Sequence, residues 1–285
     1  MSFEVNHPEV QDAVRRALAE DIGPGDITTN STVDASRVAS GRFIARETMI
    51  VAGIELLPLI FQELGGVESL ELQRKSGESA TADDVIATVT GKARTLLTAE
   101  RVSLNFMQRL SGIATLAKKH IHEVAGTGCK ILDTRKTTPG LRRLEKMAAA
   151  AGGATNHRMG LYDAVLVKNN HIAAAGGIRA AIEAVRTAGV PEGVKIEIEV
   201  RTREELEEAL AHGAEHVLLD NLSPKVAAEW IAFVNKRATV ELSGGMKLEM
   251  LRAYALGGPD YISVGAITHS AVAMDINFRL QLGPQ

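Results

Sequence analysis

Downstream of about Gly112 the chain alternates short apolar bursts with amphipathic stretches. The bursts predict strands at Lys130–Asp133, Ala164–Val167, Val194–Val200, His216–Leu219, Thr239–Leu242 and Tyr261–Val264. Between most of them the apolar period lengthens to that of a helix, as at Gly177–Ala188, Arg203–His212 and Pro224–Asn235. Strands and helices in such alternation predict parallel strands joined by right-handed crossovers, as a doubly wound sheet or most of a barrel. Upstream the pattern is mixed. It predicts a helix near Pro8–Ala19, a glycine-rich loop, strands at Gly41–Arg46 and Val85–Val89, and a helix over Gly53–Leu64. A stronger helix is predicted over Ala99–His122, with Val102, Phe106, Leu110 and Ile113 on one face and Thr98 as its cap. Arg101 then falls in the first turn, where the helix dipole disfavours a cation by a few tenths of a kcal/mol.

The polar positions within the strands favour the barrel. Strands of a covered parallel sheet are normally apolar on both faces. Here Lys195, Glu197 and Glu199 alternate with Ile196, Ile198 and Val200, and charges on an inner face are costly unless they pair or hold a ligand. The strands also end in polar residues or glycine: Asp133–Lys136, Lys168–His171, Asp220–Asn221, Ser243–Gly245 and Gly265–Ala266. In α/β barrels the active site lies at that carboxyl rim. Ser243, Gly244 and Gly245, together with Val264, Gly265 and Ala266, follow the last two strands, where phosphate binds backbone amides in barrels of this kind. Neither the glycine-lysine loop of nucleotide triphosphatases nor a dinucleotide fingerprint is present. Arg135, Lys136, His157, Arg158 and Lys168 fall at or near the rim and form a cluster suited to carboxylates and phosphates. Glu199 and Asp220 are candidates for a magnesium site, or simply neutralise Lys168 and Lys195. His120, His122, His212 and His216 lack metal-ligand spacing and are expected at the surface or at helix ends.

Composition narrows the classes. At 285 residues with 45% hydrophobic and 4% aromatic residues, the chain can bury a sizeable core in one large or two unequal domains. A net charge of -3 argues against nucleic acid and anionic membrane as partners, so anion binding has to come from the local cluster. No apolar run approaches a membrane span, Met1–His7 lacks the regions of a signal peptide, and Cys129, expected in the core, stands without a disulfide partner. A reducing cytoplasm is the expected location.

The motifs resemble those of the quinolinate phosphoribosyltransferase family. The resemblance rests on Asp133–Arg142 (DTRKTTPGLR), Gly153–Leu161 (GATNHRMGL) and Lys168–Ile172 (KNNHI). It continues through Glu197–Val200 (EIEV), Leu219–Asn221 (LDN), Glu241–Gly245 (ELSGG) and Val264–Ser270 (VGAITHS). Upstream, Glu20–Thr29 (EDIGPGDITT) and Thr98–Asn105 (TAERVSLN) also fit. It covers nearly the whole chain and implies an α/β fold: an amino-terminal α/β sandwich over residues 1–112, then an open, incomplete α/β barrel over 113–270. The tail 271–285 is expected to rejoin the first domain. The implied reaction transfers phosphoribose from phosphoribosyl pyrophosphate to quinolinate and releases pyrophosphate and carbon dioxide, for NAD synthesis. By the same resemblance Arg101, Arg135, His157, Arg158 and Lys168 hold the acceptor's carboxylates. Thr134, Lys136, Glu199, Asp220, His269 and the two glycine loops bind phosphoribosyl pyrophosphate. Magnesium is implied at Glu199 and Asp220, directly or through water or substrate. A homodimer or larger even assembly is implied, in which Arg101 reaches the partner's site. A relative acting on nicotinate, a protein associated with molybdenum transport, and a non-catalytic metabolite-binding protein are the alternatives. The number of cations around the acceptor separates the quinolinate reading from the first two, since five positive candidates suit two carboxylates better than one. The presence of both rim acids argues against the last.

Overall fold

The computed structural model describes residues 3–191 and 193–282. Met1 and Ser2 of the first predicted domain, and Gly283–Gln285 of the predicted tail, lie outside the described residues. In chain order the elements are α1 (Pro8–Ile22), α2 (Ile27–Thr32), β1 (Val38–Ala45), β2 (Met49–Ile50), α3 (Leu56–Glu63), β3 (Ser69–Leu72), β4 (Ser79–Ala80), β5 (Val85–Lys92) and α4 (Ala93–Glu123). They continue with β6 (Lys130–Leu132), α5 (Arg142–Ala151), β7 (Val165–Val167), α6 (Asn169–Ala175), α7 (Ile178–Thr187), β8 (Ile196–Val200), α8 (Arg203–Ala211) and β9 (His216–Asp220). The last are α9 (Pro224–Val234), β10 (Thr239–Ser243), α10 (Leu251–Ala255), β11 (Tyr261–Ser263), α11 (Ala266–His269) and β12 (Ile276–Leu282). The chain forms two compact units, one of Met1–Lys118, Lys136–Gly153 and Ala266–Gln285, the other of Lys119–Arg135 and Ala154–Gly265. No helix among the described residues is long and apolar enough to cross a membrane.

The first unit is built on an antiparallel sheet in the order β12-β1-β5-β3. Alternation along β1 sends Ala39, Gly41 and Phe43 inward, and Phe43 meets Phe278 of β12 with ring centroids 4.7 Å apart. Gly41 is required by that contact, since a Cβ there would lie 2.1 Å from the Phe278 ring. α1 starts on Pro8 and buries Val10, Val14 and Leu18, one per turn. α4 begins six residues earlier than its sequence pattern suggests, because β5 runs into it without a loop. The Ala93 amide donates to the Arg37 carbonyl at 2.7 Å, so Thr98 is not the cap. It lies inside the helix, its hydroxyl donating to Asp26 at 3.2 Å. Arg101 consequently sits in the third turn, beyond the reach of the dipole penalty.

The second unit holds a parallel sheet in the order β6-β11-β10-β9-β8-β7, whose outermost strands do not pair with each other, so the barrel is open. Ile198, Val200, Val217, Leu219, Val240, Leu242 and Ile262 are buried on one face. The other face carries Glu197, Glu199, His216, Asp220, Thr239, Glu241 and Ser243. Helices bury the apolar set, which leaves the polar set for the interior of the barrel. The crossovers carry ordinary signals: Thr202 caps α8 by accepting from the Glu205 amide, and Ser223 caps α9 ahead of Pro224.

Candidate active site

Parallel register brings the strand ends of the second unit to one rim. Asp220 pairs with Ser243 across β9 and β10, and the Asn221 amide donates to the Ser243 carbonyl at 3.0 Å. Asn221 adopts a left-handed backbone (φ 57°) that turns its carboxamide onto the Asp220 carboxylate at 2.6 Å. Gly244, at φ 98°, packs so closely that a Cβ would come within 2.7 Å of the Asn221 nitrogen. Only glycine fits there. Glu199 is the penultimate residue of β8, on the strand next to β9, and is half-buried like Asp220. On β11 the Val264 amide donates to the Leu132 carbonyl at 2.9 Å, which fixes the turn into Gly265.

The cations beside the rim are organised by buried Asp133, at the end of β6. Its carboxylate accepts the Asn156 carboxamide at 2.6 Å and the His157 amide at 2.8 Å. Arg158 donates to the Ala164 carbonyl at 3.1 Å. Burial lowers the Arg158 pKa, and the Arg135 guanidinium, close by, lowers it further. Two neighbouring like charges repel each other, and an anion between them turns that repulsion into attraction. Lys168 caps α6, exposed, with its amide donating to His171 Nδ1 at 2.9 Å.

Below the rim a cavity of about 120 Å³ is lined by His157, Glu197, His216, Glu241 and Tyr261 among others. His157 Nε2 lies 3.4 Å from one oxygen of Glu197 and 3.4 Å from one of Glu241. The Arg158 amide donates to His157 Nδ1 at 2.7 Å, so the ring in this geometry has its proton on Nε2, facing the acids. Burial opposes a charged ring, but hydrogen bonds and charges from Glu197 and Glu241 outweigh it and raise the pKa to about 9. Protonating Nδ1 gives up one amide hydrogen bond, a small loss against two buried carboxylates. Burial also pushes the Glu197 carboxyl up. Among the described residues this imidazole and two carboxylates are also the trio with ligand atoms within 4.8 Å of one another, a donor set suited to a transition metal more than to magnesium. Glu197 and Glu241 were not among the predicted site residues. The strict alternation of β8 was their signal, and Glu241 stood in the same phase on β10. His216 is likewise not a surface residue, since it lines this cavity, where burial and then Lys195 lower its pKa. His120 is buried, while His122 is exposed near the end of α4 and His212 caps α8. Cys129 is buried and its thiol is pushed up to about 12, as suits an inert core residue.

Arg101, Lys136, Ala266 and His269 belong to the first unit. Arg101 and Lys136 are exposed, and the Lys136 carbonyl accepts the Thr268 hydroxyl at 2.7 Å. His269 Nδ1 lies 2.6 Å from the Ser270 hydroxyl.

Family models for the N-terminal and C-terminal domains of quinolinate phosphoribosyl transferase match residues 26–111 and 113–279. A nicotinate-nucleotide pyrophosphorylase (carboxylating) of Mycobacterium leprae is 42% identical over 276 residues, covering 95% of this chain and 96% of the relative. A probable enzyme of the same name from Bacillus subtilis is 40% identical over 279 residues, with 98% and 96% covered. Among solved structures, the nicotinate-nucleotide pyrophosphorylase of Francisella tularensis superposes with a TM-score of 0.91 at 37% identity, covering 96% of each chain.

Proposed function

The chain belongs to the quinolinate phosphoribosyltransferase family, and from that premise we propose how its own residues divide the work. The protein is a phosphoribosyltransferase of NAD biosynthesis that converts quinolinate and phosphoribosyl pyrophosphate to nicotinate mononucleotide, pyrophosphate and carbon dioxide. Arg135, Arg158 and Lys168 hold the two carboxylates of the acceptor and turn its ring nitrogen toward the ribose, while His157, whose ring nitrogens face Glu197, Glu241 and the Arg158 amide, holds the segment that carries Arg158. Arg101 joins them from the partner subunit of a dimer or larger even assembly. The nearness of Arg135 to Arg158, enough for its charge to lower the Arg158 pKa, supports this reading, because two cations suit a dianion better than a monoanion. Thr134 and the loops of Ser243–Gly245 and Val264–Ala266 take the 5′-phosphate and neighbouring oxygens, and Lys136 and His269 meet the pyrophosphate.

Glu199 and Asp220 offer hard oxygen donors on adjacent strands, a pair that matches magnesium's habit of using one or two carboxylates and completing its shell with phosphate and water. Bound there, the ion would neutralise charge on the departing pyrophosphate. The same two acids orient the ribose hydroxyls. The ring nitrogen attacks the ribose carbon as pyrophosphate leaves, and its new positive charge stabilises the carbanion formed when the adjacent carboxylate departs as carbon dioxide. That carbanion takes up a proton from solvent to give the product's ring C–H. Catalysis is positioning and charge stabilisation, with no covalent intermediate on the protein. The single buried cysteine supports a reducing, cytoplasmic setting.

The test is release of carbon dioxide from quinolinate labelled in its 2-carboxyl group. Release that requires both phosphoribosyl pyrophosphate and magnesium supports the full reading. Well-folded protein that releases none but consumes nicotinate overturns the choice of acceptor.

A further inference from the structure

We infer that Arg109 and Glu145 are positioning residues: their ion pair ties the loop bearing Lys136 to the segment bearing His269 and so sets the seat of the leaving pyrophosphate. Arg109 comes from α4 and Glu145 from α5, within one unit. The Glu145 side chain is fully buried and that of Arg109 is 29% exposed. Glu145 Oε1 accepts Arg109 Nη2 at 2.9 Å, Arg109 Nε at 3.2 Å and the Thr138 hydroxyl at 2.7 Å. Its Oε2 accepts the Thr138 amide at 3.0 Å. Thr138 stands two residues after Lys136.

The other edge of the guanidinium faces the second segment. Arg109 Nη1 donates to the Ala271 carbonyl at 2.8 Å, and Nη2 also donates to the Thr268 carbonyl. The hydroxyl of Thr268, which precedes His269, closes the circuit on the Lys136 carbonyl at 2.7 Å. Arginine's rigid fork can reach a carboxylate and two carbonyls at once, which the point charge of lysine cannot. A charge pair kept for stability alone is often replaceable by apolar residues. This one directs its bonds to backbone beside Lys136 and His269. His157 and Arg158 are held separately, by Asp133 and the Ala164 carbonyl. The two substrates should therefore respond differently when the pair is disturbed.

The inference rests on the reading that Lys136 and His269 meet the pyrophosphate. The test uses the full chain and compares Thr268→Val, which keeps side-chain volume, Arg109→Met and Lys136→Ala. Initial rates give the KM of each substrate, and calorimetry gives pyrophosphate binding. Thr268→Val and Arg109→Met should each raise the KM for phosphoribosyl pyrophosphate roughly tenfold and weaken pyrophosphate to match, with the quinolinate KM moving less than about twofold. Thr268→Ser should restore both readouts. If Lys136→Ala leaves the phosphoribosyl pyrophosphate KM unchanged, the underlying role of Lys136 falls and the inference with it. If Lys136→Ala raises that KM while the other variants leave it alone, or shift both substrates equally, the positioning role alone is overturned.

Discussion

Arg135 lies close enough to Arg158 for its charge to lower the Arg158 pKa, Arg158 is held by the Ala164 carbonyl, and both guanidiniums can offer charged hydrogen bonds to a carboxylate. A charge-assisted contact of this kind is worth about 1.5–3 kcal/mol, so Arg135→Ala should raise the quinolinate KM between roughly tenfold and a hundredfold. Steady-state kinetics checks this, and an unchanged quinolinate KM would remove Arg135 from the acceptor site. His157 gives a second expectation. Its folded pKa, about 9, stands above the ordinary imidazole value. The ring's contribution to stability is therefore fully present below about pH 6.5, fades as pH rises, and is gone above about pH 9. The difference in Tm between the parent protein and His157→Gln should shrink across that window. A difference that holds constant from pH 6 to 9.5 would mean that the ring is not charged by its two acids.

Among the elements, the strands of the barrel were legible because each pairs a buried apolar face with a polar rim. All of β6 to β11 coincide with the runs picked out by pattern. The ends of α4 were not legible, because a strand that continues directly into a helix needs no capping residue and leaves no turn chemistry to read. α5 went unseen although Leu144, Met147 and Ala148 supply its buried face, for its charged first turn reads as a surface loop. The site was legible at the strand ends, where a polar residue is out of place. It was not legible in the barrel interior, where Glu241 had to be matched with His157 across many residues of sequence. Gly244 is the point at which element and site depend on each other. Gly244→Ala forces a Cβ against the Asn221 backbone in a conformation that costs L residues roughly 1–2 kcal/mol even in open space. The substitution should leave far-ultraviolet circular dichroism unchanged but raise the KM for phosphoribosyl pyrophosphate more than tenfold. Normal kinetics would place the phosphate elsewhere.

For the whole molecule, the proposed sharing of Arg101 between subunits predicts complementation. Assayed at quinolinate well below the variants' KM, Arg101→Ala and Arg135→Ala homodimers should each retain about a tenth of the parent activity or less, yet subunits exchanged between them assemble hybrids with one intact site in two. A randomised equal mixture should recover about a quarter of the parent activity, as the statistics of a twofold dimer require. Recovery of nothing after verified exchange would place Arg101 in its own subunit's chemistry. Removing magnesium with a chelator should abolish turnover while leaving quinolinate binding measurable by calorimetry, since the acceptor contacts proposed above are side-chain cations.

The pairing of β12 with β1, where Leu282 lies opposite Ala39, sets the order of events during synthesis. β1 leaves the ribosome early, but the strand that covers its free edge is made about 240 residues later, a wait on the order of ten to fifty seconds at ordinary translation rates. Throughout that interval the nascent chain presents an unpaired edge, with Phe43 lacking its partner ring. A ribosome stalled just short of Ile276 would therefore hold a chain whose barrel strands are all made but whose first sheet stays open to the wrong neighbour.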